Sequence, residues 1–219
     1  MPRLALKLRR RTPHPWPFKL IGLTGSIAMG KSTAATMIRR MRIPVFDADR
    51  AVHALLGANG DAVPMVAARF PESIDASGIN RQKLGRLVFE DPEALTDLER
   101  ILHPLVKNKR QKFLQTNAIR RVRVVVLDVP LLFETGGDKR CDAVFVVSAP
   151  KAIQRQRALS RDGMTESKLR GILDRQMPDT QKRRLAFAVI PSGLGYHVTQ
   201  QKLNKAISNL AFHPKKEDQ

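Results

Sequence analysis

The chain has 219 residues, 42% of them apolar, enough for one core with a small inserted subdomain beside it. Thirty-nine Lys and Arg against twenty acids give a formal charge of +19, which suits either a nucleic-acid binder or an enzyme of polyanionic substrates. No apolar run nears the roughly 20 residues of a membrane span, and a single cysteine, Cys141, excludes an internal disulfide and fits a reducing, cytoplasmic setting.

Residues 1–17 carry Arg3, Lys7, Arg9, Arg10 and Arg11 with no acid, then Pro13, Pro15 and Pro17. That composition predicts an unpacked basic arm. It shares the Arg-rich character of a transit peptide but lacks the serines. Phe18, Leu20, Ile21 and Leu23 then predict a short strand, followed by a glycine-bearing loop. Ala34, Met37, Ile38 and Met41 recur at helical spacing and predict a helix from about Lys31 to Arg42. A second strand, Ile43–Phe46, ends in Asp47-Ala48-Asp49, and no clear strand follows until Val122. Leu95, Leu98 and Leu102 keep helical spacing there, so residues 51–119 are expected to form a helical insertion. Val122–Leu127, Ala143–Val147 and Ala188–Ile190 are apolar throughout rather than alternating, as in a parallel sheet covered on both faces. Lys151–Arg184 is basic and helical, a last helix runs near Val198–Leu210, and residues 214–219 form a tail. The expected fold is α/β, one domain over residues 18–213 with its core in 18–50, 120–150 and 185–213.

Gly25-Ser26-Ile27-Ala28-Met29-Gly30-Lys31-Ser32 fits G-x-x-x-x-G-K-[ST] between a strand and an amphipathic helix. Gly25 and Gly30 allow a close backbone approach that a Cβ would block. Successive N–H groups, with the positive end of the helix, then converge on phosphates. Lys31 would reach the β- and γ-phosphates of ATP and the Ser32 hydroxyl would coordinate Mg²⁺. Such a P-loop alone does not separate a kinase from a GTPase, a motor or a nucleic-acid machine. Asp47 and Asp49 stand at the strand end where α/β sheets open their ligand crevice, and one of them could orient an attacking hydroxyl. Asp49 could equally cap a helix starting near Arg50. Asp128 closes its strand, either as an acid holding Mg²⁺ or as a plain turn residue. Gln154, Arg157 and Arg161 share one face of a helix, either a lid over the ATP phosphates or a solvated charged surface. His103-Pro104 is expected at a helix start, where proline is tolerated.

Together these segments resemble the dephospho-coenzyme A kinase family. The resemblance rests on Leu20-Ile21-Gly22-Leu23-Thr24-Gly25 through Lys31-Ser32-Thr33, on Val45-Phe46-Asp47-Ala48-Asp49, and on Gly78-Ile79-Asn80-Arg81. It continues with Leu98-Glu99 to His103-Pro104, Asp128-Val129-Pro130-Leu131-Leu132-Phe133-Glu134, Gln154-x-x-Arg157-x-x-x-Arg161 and Gln176. It implies a P-loop NTPase-type parallel sheet flanked by helices, a helical substrate domain over 51–119 and a helical lid over 151–184. It also implies ATP-dependent phosphorylation of the ribose 3′-hydroxyl of dephospho-coenzyme A, with no nucleic-acid, membrane or obligate protein partner. By motif position, Gly25, Ala28, Met29, Gly30, Lys31, Ser32, Thr33, Arg157 and Arg161 would bind ATP, and Ser32 and Asp128 would hold Mg²⁺. Asp49, Asp47, Lys31 and Arg157 would be catalytic, while Asp49, Arg81, His103 and Asp128 would meet the acceptor.

The chain departs from the family pattern at three places. Ala28 replaces a usual glycine at what the general motif treats as an unconstrained position, and Asn80 replaces an aspartate. After the lid, Ala186-Phe187-Ala188-Val189-Ile190-Pro191-Ser192-Gly193 lacks the family's acid and amide. Another small-molecule or nucleoside P-loop kinase, or a nucleic-acid-associated P-loop ATPase, are the alternative functions at this point.

Overall fold

The computed structural model describes residues 14–75 and 78–211. Most of the basic arm and the terminal tail lie outside them. Packing already involves His14 and Trp16, upstream of the Phe18 boundary expected from sequence. His14 Nε2 lies 2.8 Å from Asp142 Oδ2, and Trp16 stacks on Phe18 with ring centroids 5.8 Å apart.

The chain divides into two compact units, one made of residues through Phe46 together with those from Asn117 onward, the other of Asp47–Thr116. In the first unit, strands β1 (Lys19–Thr24), β2 (Val45–Asp47, whose last residue opens the second unit), β5 (Val124–Asp128), β6 (Ala143–Ser148) and β7 (Ala188–Pro191) form one sheet in the order β2-β5-β1-β6-β7. The β1–β5, β1–β6 and β6–β7 pairs are parallel. Central β1 and its neighbours β5 and β6 are almost wholly buried, which explains their unbroken apolar runs. Residues of β6 alternate between two cores. Ala143, Phe145 and Val147 face a cluster with Ala34, Met37 and Ile38 of α1 (Lys31–Arg40) and Leu203 and Leu210 of α9 (Tyr196–Ala211). Val144 and Val146 face Leu132, Phe133, Cys141, Met177 and Leu185. Cys141 is 1% exposed, and its thiol donates to Gly137 O at 3.6 Å.

The basic segment resolves into three helices, α6 (Lys151–Leu159), α7 (Glu166–Asp174) and α8 (Asp179–Leu185). α6 is shorter than its basic run suggests, because the chain turns off at Ser160. Arg161 therefore lies past the helix and does not share a helical face with Gln154 and Arg157.

The second unit contains α2 (Ala48–Leu55), α3 (Val63–Arg69), α4 (Arg81–Glu90) and most of α5 (Pro92–Ile119) around Leu55, Val66, Phe70, Leu84, Leu98 and Leu102. A small hairpin of β3 (Ile74–Asp75) and β4 (Gly78–Ile79) joins them; strands of two residues carry no periodicity to detect. Asn80 caps α4, accepting from Gln82 and Lys83 N–H at 3.1 Å, and its amide donates to Asp75 at 2.9 Å. An aspartate could cap but would set a second negative charge against Asp75. His103-Pro104 does not start a helix, as expected from sequence, but lies inside α5. Asp91 caps that helix well upstream, accepting from Glu93 N–H at 2.8 Å, and Leu98 and Leu102 before the proline and Leu105 and Val106 after it pack on one core. Continuous burial outweighs the one hydrogen bond the proline forfeits.

Lys182 of α8 is fully buried and donates to Glu134 Oε1 at 2.9 Å. The same oxygen accepts from Met177 N–H at 2.8 Å. Burial alone would raise the Glu134 pKa; hydrogen bonds from Lys182, its own N–H and Met177 N–H, with the lysine charge, outweigh that and hold it below the usual range. A depressed folded-state pKa means stabilisation that is complete above the unfolded value and lost as pH falls through the folded one. Glu134→Gln is expected to cost about 2–3 kcal/mol near neutrality, since it leaves the buried ammonium without its counter-charge. Urea denaturation across pH should show parent and variant converging as pH falls below the ordinary glutamate range.

Candidate active site

β1 delivers the chain to Gly25, where an added Cβ would lie 2.6 Å from the Val147 carbonyl oxygen. The backbone passes too close to the end of β6 for any side chain. The turn closes with Met29 N–H to Ser26 O at 3.2 Å, and Gly30, at φ +85°, starts α1. No side chain caps this helix and its first turn holds no acid. The first-turn N–H groups of Lys31, Ser32 and Thr33 and the positive end of the helix are thus arranged for an external anion. Ala28 is not the unconstrained position the general motif suggests. It sits at φ +60°, and its methyl packs with Ala158 and Leu169.

Side chains from distant segments grip the same turn. Gln154 Nε2 donates to Ile27 O at 2.9 Å, and Gln176 Oε1 accepts from Ile27 N–H at 3.0 Å. Ser192 Oγ donates to Met29 O at 2.6 Å. Arg157 directs Nη1 to Ser192 Oγ at 3.1 Å and Nη2 to Ser192 O at 2.8 Å. Arg157 Nη1 also lies 3.4 Å from where a Cβ on Gly30 would stand, so the guanidinium lies against the turn. Sequence patterns assigned Ser192 no role. It lies over 160 residues from the turn, and only the β6–β7 pairing brings it there.

Lys31 Nζ is 2.5 Å from Asp128 Oδ1, both side chains largely buried. Asp128 ends β5 directly beside Leu23 of β1, so sheet register brings the carboxylate to the lysine. Pro130 O accepts from Thr24 Oγ1 at 2.8 Å, pinning the following segment. Ser32, exposed in the first turn of α1, and Asp128 supply oxygen donors of the kind Mg²⁺ takes. Among the described residues, no group of three or more His, Cys, Asp or Glu side chains gathers into a metal site.

Thr33 follows Ser32 in the first turn of α1 with its side chain exposed. The remaining sequence-derived residues lie elsewhere. Arg161 is exposed in the first unit. Asp47, not Asp49, caps α2, accepting from Arg50 N–H at 3.0 Å; Asp49 is exposed in the first turn. Arg81, at the start of α4, bonds through Nη1 to His53 Nδ1. His103 is exposed on α5.

A profile of the dephospho-CoA kinase family matches residues 19–194. The chain belongs to the dephospho-CoA kinase family. It is 55% identical over 177 residues to a Rhodospirillum rubrum protein named dephospho-CoA kinase, covering 80% of this chain and 84% of that one. A crystal structure of a Thermus thermophilus protein superposes with a TM-score of 0.74 at 32% identity, over 88% of this chain and 97% of that one. The dephospho-CoA kinase from Campylobacter jejuni, at 23% identity, shares the fold with a TM-score of 0.63, over 89% of this chain and 98% of that one.

Two substitutions test the turn of this family member. Gly25→Ala forces a Cβ onto the Val147 carbonyl and should cost roughly 1–3 kcal/mol, lowering Tm and weakening nucleotide binding in calorimetry. Ala28→Gly relieves left-handed strain of about 1–2 kcal/mol but removes a buried methyl and adds unfolded-state freedom of similar combined size. Its stability by urea denaturation should therefore stay within about 0.5 kcal/mol of the parent.

Proposed function

We propose that this chain transfers the γ-phosphoryl group of ATP to the ribose 3′-hydroxyl of dephospho-coenzyme A, giving coenzyme A and ADP. The observation that carries this is the uncapped start of α1, gripped from behind by side chains, in a chain of this family. The N–H groups of that first turn bind the phosphates. Lys31, held beside Asp128, offers an ammonium to the β- and γ-oxygens, and Arg157 offers a guanidinium from α6. Bound Mg²⁺, held by Ser32 and Asp128 together with phosphate oxygens, would neutralise charge building on the transferred group. Helices α6 to α8 act as the lid that excludes water, the competing acceptor, and Arg161 meets phosphate from its loop. Asp49 orients the acceptor hydroxyl, with Asp47 holding the start of α2, and Arg81 and His103 bind the acceptor. Two polyanionic substrates account for the +19 charge without nucleic acid. The reaction is assigned to the cytoplasm, in keeping with the one thiol.

An acceptor panel checks the reading. ADP should form with dephospho-coenzyme A and not with water, nucleosides, DNA or RNA; equal ADP release across the panel would refute it. Lys31→Ala should lower kcat/KM on the order of 10²–10³-fold. Of the separate changes Asp47→Asn and Asp49→Asn, the second should depress kcat more while leaving the KM for ATP little altered. The reverse order would transfer the orienting role to Asp47.

A further inference from the structure

We propose that Ser192 is a positioning residue that orients the Met29–Gly30 peptide of the phosphate-binding turn and docks Arg157 against it. The proposal deepens the reading of this turn as the ATP site and rests on it. A trans peptide points its C=O and N–H in opposite directions. Whatever holds the Met29 carbonyl outward therefore aims the Gly30 N–H inward, toward a phosphate. Glycine accepts both orientations of the peptide preceding it at little cost, so Gly30 at φ +85° leaves that choice open. Ser192 makes it, donating Oγ–H to Met29 O at 2.6 Å.

The direction of that hydroxyl proton is determined. Arg157 has only donors to give, and its Nη1 occupies an acceptor site on Ser192 Oγ at 3.1 Å. The hydroxyl's single proton is thereby turned to Met29. The serine itself is anchored in the sheet. Its N–H donates to Ser148 O at 2.9 Å, extending the β6–β7 ladder, and Thr199 Oγ1 donates to Pro191 O at 2.7 Å. One rigid hydroxyl thus sets a peptide on one side and a guanidinium on the other.

ADP binding by titration calorimetry without acceptor, and steady-state kinetics with both substrates, should be measured for parent, Ser192→Ala and Ser192→Thr. Loss of the hydroxyl is expected to weaken ADP binding and raise the KM for ATP on the order of ten-fold. The KM for dephospho-coenzyme A should stay within about two-fold, and Ser192→Thr, which keeps the donor, should restore ADP binding to near the parent value. The proposal falls if Ser192→Ala binds ADP as the parent does, if Ser192→Thr is as weak as Ser192→Ala, or if both KM values rise by the same factor. Calorimetry needs no acceptor, so a wrong assignment of dephospho-coenzyme A would leave that readout standing, whereas normal turnover with unchanged ADP binding in Ser192→Ala would remove this inference alone.

Discussion

A turn that meets phosphate through peptide N–H groups has to find partners for the carbonyls that the same peptides turn the other way. In this chain the partners come from far along the sequence. Gln154 on α6 takes the Ile27 carbonyl, and Ser192 after β7 takes that of Met29. Gln176, between α7 and α8, accepts the Ile27 N–H. The turn is therefore a short local sequence held in shape by the far half of the fold. Parallel pairing of β6 with β1 and β7 brings that half within reach.

Charge balance follows the same economy of placement. The chain carries a large excess of cations, yet Lys31 and Lys182, each largely or wholly withdrawn from water, both have a carboxylate partner. Those acids, Asp128 and Glu134, lie in one short segment leaving β5. An ammonium buried without compensation costs several kcal/mol. The Asp128–Glu134 segment thus serves Lys31 at one end and the α8 lysine at the other, and Thr24 ties its middle to β1 through Pro130.

Much of this was legible in the residues. Strands buried on both faces appear as unbroken apolar runs, and the glycine–lysine turn has a spacing that few other structures require. The Lys31–Asp128 ion pair was not anticipated; it follows from Asp128 standing beside Leu23 in the β1–β5 register. What escaped is what depends on length or distance. A hairpin of two-residue strands has no period to detect. Pro104 reads as a boundary because local rules penalise it, and only the packing of Leu98, Leu102 and Leu105 overrides them. Arg161 keeps helical spacing in sequence, but the helix has already ended at Leu159. Ala28 looked unconstrained because a motif records identity and not φ. Ser192 acts across more than 160 residues and leaves no trace in its own neighbourhood.

The Cys141 sulfur, which would lie 3.1 Å from a Cβ placed on Gly22, is sealed between β1 and the Leu132 side chain. A sulfhydryl so enclosed reacts with an alkylating reagent only when the central strand parts from its cover. This one native atom therefore serves as a built-in reporter. The speed of its labelling clocks transient opening at the heart of the sheet, and any ligand that braces the neighbouring loop should slow that clock.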